Sequence, residues 1–203
     1  MSSTHSILVQ DLTLGDYVDA LLHERIDEAY AKRADDQWLA FIAAAEGKAN
    51  ALGQPFSAPG NAHWRWHAKV SESAHLLSLP TLAIECQGNP QGLMLLRTDG
   101  HFARLRGQEG KPLVYVCYLA SAPWNLREIS NKPLFNGIGT LLIRAAVQQS
   151  LELEFRGRIG LHSLPKAEGF YERHGFDCLG VDTDKENLKY YELSPEAAAE
   201  FLS

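Results

Sequence analysis

The chain has 203 residues, 45% of them apolar, and a formal net charge of −6. That is enough to fill one sizeable core, so a single domain over 1–203 is expected. The acidic balance argues against nucleic acid as a partner, because such binding relies on clustered Lys and Arg. No apolar run reaches the ~20 residues that span a bilayer, and the opening MSSTHSILVQD has neither the basic nor the apolar region of a signal peptide. A cytoplasmic protein with no membrane partner is therefore expected. Cys86, Cys117 and Cys178 are odd in number and widely spaced in strand-like segments, which fits free buried thiols better than disulfides or a metal cluster.

Residues 12–77 read as a helical amino-terminal section. Leu14, Tyr17, Val18, Leu21, Leu22 and Ile26 recur at helical spacing, and so do Trp38, Phe41, Ile42, Ala45, Ala49 and Leu52. Asp35 and Asp36 are placed to start the second helix, and GQPFSAPGN (53–61) is a turn-rich link. A third helix is expected from about His63 to Leu77, ending before Pro80. His63 and His67 stand four apart, a spacing that binds zinc on a helix, but no acidic residue completes a ligand set and no metal is expected. The aromatic residues of HWRWH are read as packing, with one bordering an acceptor cleft.

TLAIECQGNPQGLMLLRT reads as a hairpin turning around Gly88, Asn89 and Pro90, and 101–106 as another short strand. LVYVCYLA, 113–120, is too continuously apolar for a half-exposed strand and is expected to be buried and central. The loop SAPWNLREISNK (121–132) follows it. Loops on a rigid scaffold often carry selectivity, which makes Trp124, Asn125 and Glu128 candidates for substrate contact. Trp124 reads equally as a plug over the core, and Glu128 as a solvated charge.

In PLFNGIGTLLIRAAVQQS, Pro133 stops what precedes, Gly137 and Gly139 open a helix, and Ile138, Leu141, Leu142, Ala145 and Ala146 repeat at helical spacing. Each glycine costs roughly 1 kcal/mol against Ala inside a helix. Their use is either close packing on a strand or the approach of a ligand to backbone N–H groups at the positive end of the helix, a site suited to phosphate. RGRIGLHSLPKAEGFYERHGF then gives a strand over 158–163, a helix start at Pro165 and a helix C-cap at Gly175. LKYYEL is a strand, and Ser194, Pro195 and Glu196 open a final helix.

The order strand, G-x-G turn, helix, strand, closed by F-Y-x-x-x-G-F at Phe176, resembles the GNAT superfamily of acyl-coenzyme A dependent N-acyltransferases over roughly residues 79–193. The resemblance implies an α/β (α+β) fold with a mixed central sheet flanked by helices, here with the helical amino-terminal section as an extension. It also implies transfer of an acetyl group from acetyl-CoA to a primary amine of a small molecule or peptide, without a metal. It places the coenzyme A pyrophosphate on the backbone of Asn136, Gly137, Ile138, Gly139 and Thr140, and the pantetheine arm along Leu119, Ala120 and Ser121. An N–H near Leu119 or Ala120 would polarise the thioester carbonyl, and Tyr171 falls on the general-acid position. Leu134 departs from the pattern, since the family usually has Arg or Gln there.

The family often takes its general base from a carboxylate on the central strands, and 113–121 contains none. Glu85 and His162 are the candidates, directly or through water; a histidine has an ordinary pKa of about 6.5. His162 reads equally as a structural histidine, and Tyr171 as a ring packed in the core. Cys117 lies on the cofactor strand without the neighbours that a covalent acyl intermediate needs. Arg156, Arg158, Lys166 and Arg173 gather near the cofactor elements, either to hold coenzyme A phosphates or as solvated surface. The acidic background favours a cationic acceptor as a long-range bias. The second reading of the whole chain is a non-catalytic module of the same fold that senses acyl-coenzyme A; a purely structural protein leaves Gly137, Gly139 and Tyr171 unexplained.

Overall fold

The computed structural model describes residues 3–203. Its first feature is a turn built by Asp11, whose carboxylate accepts the Thr13 N–H at 2.7 Å, the Thr13 hydroxyl at 2.6 Å and the Leu14 N–H at 3.1 Å. Gly15 follows with φ +71°, and the chain reverses from β1 (Thr4–Asp11) into β2 (Asp16–Glu24). This hairpin overturns the helix expected over 14–26. Ala20 is buried and Val18 and Leu22 half-buried on one face, whereas Leu14, Tyr17 and Leu21 are exposed. The helical spacing of those residues is a coincidence. A period of two governs instead, fixed by pairing to β1 and to β3 (Thr81–Cys86).

Helix α1 (Glu28–Ala51) starts at Asp27, which accepts the Tyr30 N–H at 2.7 Å, so Asp35 and Asp36 lie inside it rather than at its start. Asp35 is only 8% exposed and caps another helix: its two oxygens accept the Trp66 N–H at 2.8 Å and the His67 N–H at 2.9 Å, opening α2 (Trp66–Ser73). The third expected helix is therefore shorter than predicted. His63 lies in the preceding turn, so the His63/His67 pair does not sit on a helix face. Among the described residues no group of three or more His, Cys, Asp or Glu is placed to hold a metal.

β3 joins β4 (Asn89–Arg97) through Gln87 and Gly88 at φ +52° and +73°, the left-handed pair of a two-residue hairpin turn. The strand expected over 101–106 reduces to one bridge, Phe102 to Pro112. In β5 (Val114–Ser121) Val114, Val116 and Ala120 are buried and Tyr115, Cys117 and Leu119 half-buried, a more open strand than its apolar run suggested. There follow β6 (Phe135–Asn136), α3 (Ile138–Glu152), β7 (Ile159–Ser163), α4 (Glu168–Arg173), β8 (Asp177–Asp182), β9 (Leu188–Leu193) and α5 (Pro195–Leu202). Helix α4 ends with Gly175 at φ +80°, the Phe176 N–H on the Tyr171 carbonyl and the Gly175 N–H on that of Glu172, a Schellman close. Ser194 caps α5 by accepting the Ala197 N–H at 3.1 Å. The three cysteines are free, but only Cys86 is buried; Cys117 is half-buried and Cys178, on β8, exposed.

The nine strands form a mixed sheet, with β5 and β7 parallel and the β1/β2, β1/β6, β2/β3, β7/β9 and β8/β9 pairs antiparallel. The chain divides into two compact units interleaved in sequence, one holding residues up to 77 with 81–94 and 119–142, the other 78–80, 95–118 and 143–203. β4, β5 and α3 each run through both. Val9, Trp38, Trp66, Ile84, Leu93 and Ile138 are core residues of the first; Leu96, Val114, Ile143, Val147, Ile159 and Leu161 of the second. No helix among the described residues is long and apolar enough to cross a membrane.

Candidate active site

The glycine turn lies in the first unit, and strand β1 holds its entry. Gln10 and Asp11 pair with Asn136 and Phe135, the Leu12 N–H donates to the Leu134 carbonyl at 2.8 Å, and Asn136 Nδ2 donates to Gln10 Oε1 at 2.9 Å. Gly137 then takes φ +79°, and a Cβ there would meet nothing within 4 Å. The backbone conformation, rather than crowding, thus calls for glycine. Its carbonyl accepts the Leu141 N–H at 2.9 Å and starts α3. The amides of Ile138, Gly139 and Thr140 fall in that first turn, beyond the reach of any helical carbonyl and at the positive end of the macrodipole.

Leu119, Ala120 and Ser121 are the last three residues of β5. A Cβ on Gly92 of β4 would lie 2.5 Å from Ile138 Cγ2, 3.1 Å from Leu142 Cδ1 and 3.3 Å from the Ala120 carbonyl oxygen. The bare backbone at Gly92 therefore lets the first turn of α3 and the end of β5 close on β4. Its neighbour Gln91, 2% exposed, secures the loop between them. Gln91 Oε1 accepts Trp124 Nε1–H at 2.8 Å and Asn125 Nδ2–H at 3.1 Å, while Asn125 Oδ1 accepts the Phe135 N–H at 3.0 Å.

A small solvent-open cleft adjoins the end of β5, with Ala120 and Ser121 in its wall. Asp35, Trp38, Trp64 and Trp66 line it as well, and on the following loop Pro123 and Leu126 do so rather than Trp124, Asn125 or Glu128. Trp124 and Asn125 are occupied by Gln91, the Trp124 ring meets Phe41 edge-on at 5.6 Å, and Glu128 is exposed. Of the aromatic residues of HWRWH, one was expected to border a cleft; Trp64 and Trp66 both line this one.

No family model matches the chain, and no curated protein matches it. Among solved structures it is similar to an acetyltransferase of the GNAT family from Listeria monocytogenes 4b F2365, at 14% identity and TM-score 0.55, over 93% of this chain and 99% of that one. It is also similar to an aminoglycoside acetyltransferase in complex with coenzyme A, at 16% identity and TM-score 0.52, over 90% and 99%. A third, described as a bacterial toxin, aligns at 13% identity and TM-score 0.57 over 100% and 96%. The chain shares the fold of these structures, a GNAT-like mixed sheet flanked by helices. At such identities the likeness is one of fold, so any GNAT chemistry has to be argued from this chain's own residues.

Of the residues expected to move protons, Glu85 lies on β3 in the first unit. It accepts Arg33 Nη2–H at 2.8 Å and has His23 Nε2 at 3.8 Å. Burial, and then the Glu85 carboxylate, raises the pKa of the nearby Tyr30 hydroxyl.

The other two lie in the second unit. His162, with its side chain 5% exposed, has Tyr115 Oη at 2.7 Å from Nδ1 and Asp182 Oδ2 at 3.1 Å from Nε2. Asp182 also accepts Arg104 Nη1–H at 2.9 Å; this bond, and next the one from His162, holds its carboxyl at about 2. With Asp182 ionised, Nε2 of a neutral His162 carries the proton and Nδ1 accepts from Tyr115. Burial lowers the His162 pKa against the opposing pull of Asp182, and burial pushes the Tyr115 hydroxyl up to about 12. Both ring nitrogens of His162 are thus engaged. Tyr171, on α4 and 7% exposed, packs its ring against Phe170, Phe176 and Tyr191 at 5.2, 5.4 and 6.0 Å, and burial raises its pKa.

Proposed function

We propose that this protein is an N-acetyltransferase that moves an acetyl group from acetyl-CoA to a primary amine of a small molecule or peptide. The observation that carries the reading is the glycine turn: Gly137, exposed and in a left-handed conformation, pinned through Asn136 to β1, opens α3 so that the first-turn backbone stands at the positive end of the helix. Those features fit a pyrophosphate held by the main chain of Asn136 to Thr140, which suits the apolar Leu134 before them. The coenzyme A complex of the same fold supports that choice of co-substrate.

In this reading Leu119, Ala120 and Ser121 pair with the pantetheine arm, and an N–H near Leu119 or Ala120 polarises the thioester carbonyl. The acceptor's nitrogen bonds to the acyl carbon as the carbon–sulfur bond breaks. Tyr171 then gives its proton to the departing thiolate, and its raised pKa keeps the hydroxyl protonated at neutral pH, as a general acid requires. Glu85 and His162 are the groups proposed to take the amine's proton, and no metal takes part. The protein acts in the cytoplasm, without a nucleic acid or membrane partner. Replacing Gly139 with Val puts a branched side chain over the first turn of α3. Calorimetric titration should show coenzyme A affinity lost in a folded Gly139→Val protein; unchanged affinity overturns the assignment.

A further inference from the structure

In the second unit a polar chain runs from a carboxylate to a half-buried hydroxyl, with His162 at its centre. Asp182 of β8 lies 3.1 Å from Nε2, and Tyr115 of β5 lies 2.7 Å from Nδ1. Arg104, between β4 and β5, secures the carboxylate at 2.9 Å. It is itself fixed by its backbone N–H, which donates at 2.6 Å to Glu192 Oε1 on a side chain buried in β9. Tyr190 of β9 packs on the imidazole at 4.8 Å, and His101 stacks on Tyr115 at 4.2 Å and 8°. Gly160 leaves room for this packing, since a Cβ there would lie 2.5 Å from Tyr190 Oη. Asp182, Arg104 and Lys185 supply the charges that act on His162, and Cys117, Tyr118, Arg104 and Asp182 act on Tyr115.

The chain has a direction. Ionised Asp182 keeps the proton on Nε2, so Nδ1 accepts the Tyr115 O–H. Among the described residues His162 is the only hydrogen-bond partner of that hydroxyl, and the oxygen's lone pairs stay open to a donor. The His162 side chain is 5% exposed with both nitrogens engaged, whereas Tyr115 is half-buried. A proton from outside therefore reaches the imidazole through Tyr115. Burial pushes the hydroxyl up to about 12, so Tyr115 is no phenolate base at neutral pH and hands on any proton that it takes. By strand alternation Tyr115, Cys117 and Leu119 share the more open face of β5. Leu119, near which the thioester is proposed to lie, is ~13 Å further along the strand, so bridging water carries the amine's proton to Tyr115.

Resting on the acetyltransferase reading, we propose that Tyr115 is the entry to a proton relay, held by Asp182 and Arg104, through which His162 takes the proton of the acceptor amine. The ammonium N–H bond breaks as its proton passes to water, a water proton passes to the Tyr115 oxygen, and the hydroxyl proton passes to Nδ1. Water and Tyr115 are neutral before and after. His162 becomes an imidazolium beside ionised Asp182, and the amine nitrogen keeps the electron pair that bonds to the acyl carbon. Once the amide has left, the imidazolium returns its proton to solvent by the same path.

Thiol release from acetyl-CoA with primary amines from benzylamine to spermidine, followed as kcat/KM between about pH 5 and 9, tests the relay. Tyr115→Phe should lower kcat/KM by ~10²-fold and abolish the acidic limb that His162 gives, with coenzyme A affinity unchanged. Asp182→Asn should move that limb to lower pH, because the imidazolium loses its counter-charge. Nitrogen NMR of the His162 ring should show the proton on Nε2 in the parent. A parental rate and limb in Tyr115→Phe, a limb removed by Glu85→Gln instead, or a proton found on Nδ1 overturns the relay and leaves acetyl transfer intact. Should Tyr115→Phe fail to fold, Asp182→Asn decides, and an unmoved limb overturns the relay. No thiol release from the parent with any of these amines sinks acetyl transfer and the relay together.

Discussion

Gly92→Ala adds one methyl group at the point where β4, α3 and the end of β5 meet. Its carbon would stand 2.5 Å from Ile138 Cγ2, against the ~3.5–4.0 Å of ordinary carbon contact, so roughly 1 Å or more of movement is needed. Ile138 is a poor candidate to yield, because it is β-branched, restricted at χ1 in a helix and 3% exposed. Rotation of its side chain also leaves Leu142 at 3.1 Å and the Ala120 carbonyl at 3.3 Å. Overpacking of this kind destabilises by about 1–3 kcal/mol, and 2 kcal/mol lowers the Tm of a domain this size by about 4–8 °C. The displaced elements are those proposed to hold coenzyme A, so affinity should fall along with stability. Calorimetric melting together with coenzyme A titration of the variant reads both. A Tm within about 1 °C of the parent, with unchanged affinity, refutes the close approach as the reason for glycine here.

Tyr171→Phe should lower turnover by ~10²-fold with little change in acetyl-CoA binding; full turnover with chemistry rate-limiting reduces the tyrosine to packing. Gln91→Leu strips the partner from Trp124 Nε1 and Asn125 Nδ2 and should destabilise by at least ~1–3 kcal/mol in urea unfolding; a loss below ~0.5 kcal/mol removes Gln91 as the anchor of the loop. Because the folded chain lowers the pKa of His162, the unfolded chain takes the proton more readily, and stability should fall as pH drops below about 6.5. Unfolding midpoints against pH for the parent and His162→Asn check this, since the variant should lose that slope. In kcat/KM against pH, a His162 base gives an acidic limb below the ordinary histidine value of about 6.5, because burial lowers its pKa, and His162→Asn should remove that limb; an unchanged profile in the variant rules His162 out as the base.

The parts of the fold legible in the sequence are those that local chemistry decides. Gly175 and Ser194-Pro195 each specify a cap within a few residues and stand where expected, whereas the hairpin expected around Gly88, Asn89 and Pro90 turns at Gln87 and Gly88, with Asn89 and Pro90 already in β4. β1 and β2 were hidden because strand pairing is non-local, and Leu14 to Ile26 also satisfy a helical period. Asp35 looks like an N-cap and is one, but for a helix 31 residues further on. β8 pairs only with β9, is exposed along most of its length and carries an irregularity between Cys178 and Val181, so it shows no apolar alternation. Among the candidate residues, the glycine turn was readable from Gly137 and Gly139. Tyr115 and Asp182 were not, since they reach His162 across 47 and 20 residues of sequence. The tryptophan cleft forms only when a turn-rich link folds back beside β5.

Release of free thiol on mixing the protein with acetyl-CoA and a panel of amines tests acetyl transfer most directly. Thiol release that requires both an amine and the intact glycine turn, and that disappears in Gly139→Val, is the predicted result. Saturable binding of acetyl-CoA with no thiol released by any amine would contradict it and make the chain an acyl-coenzyme A sensor.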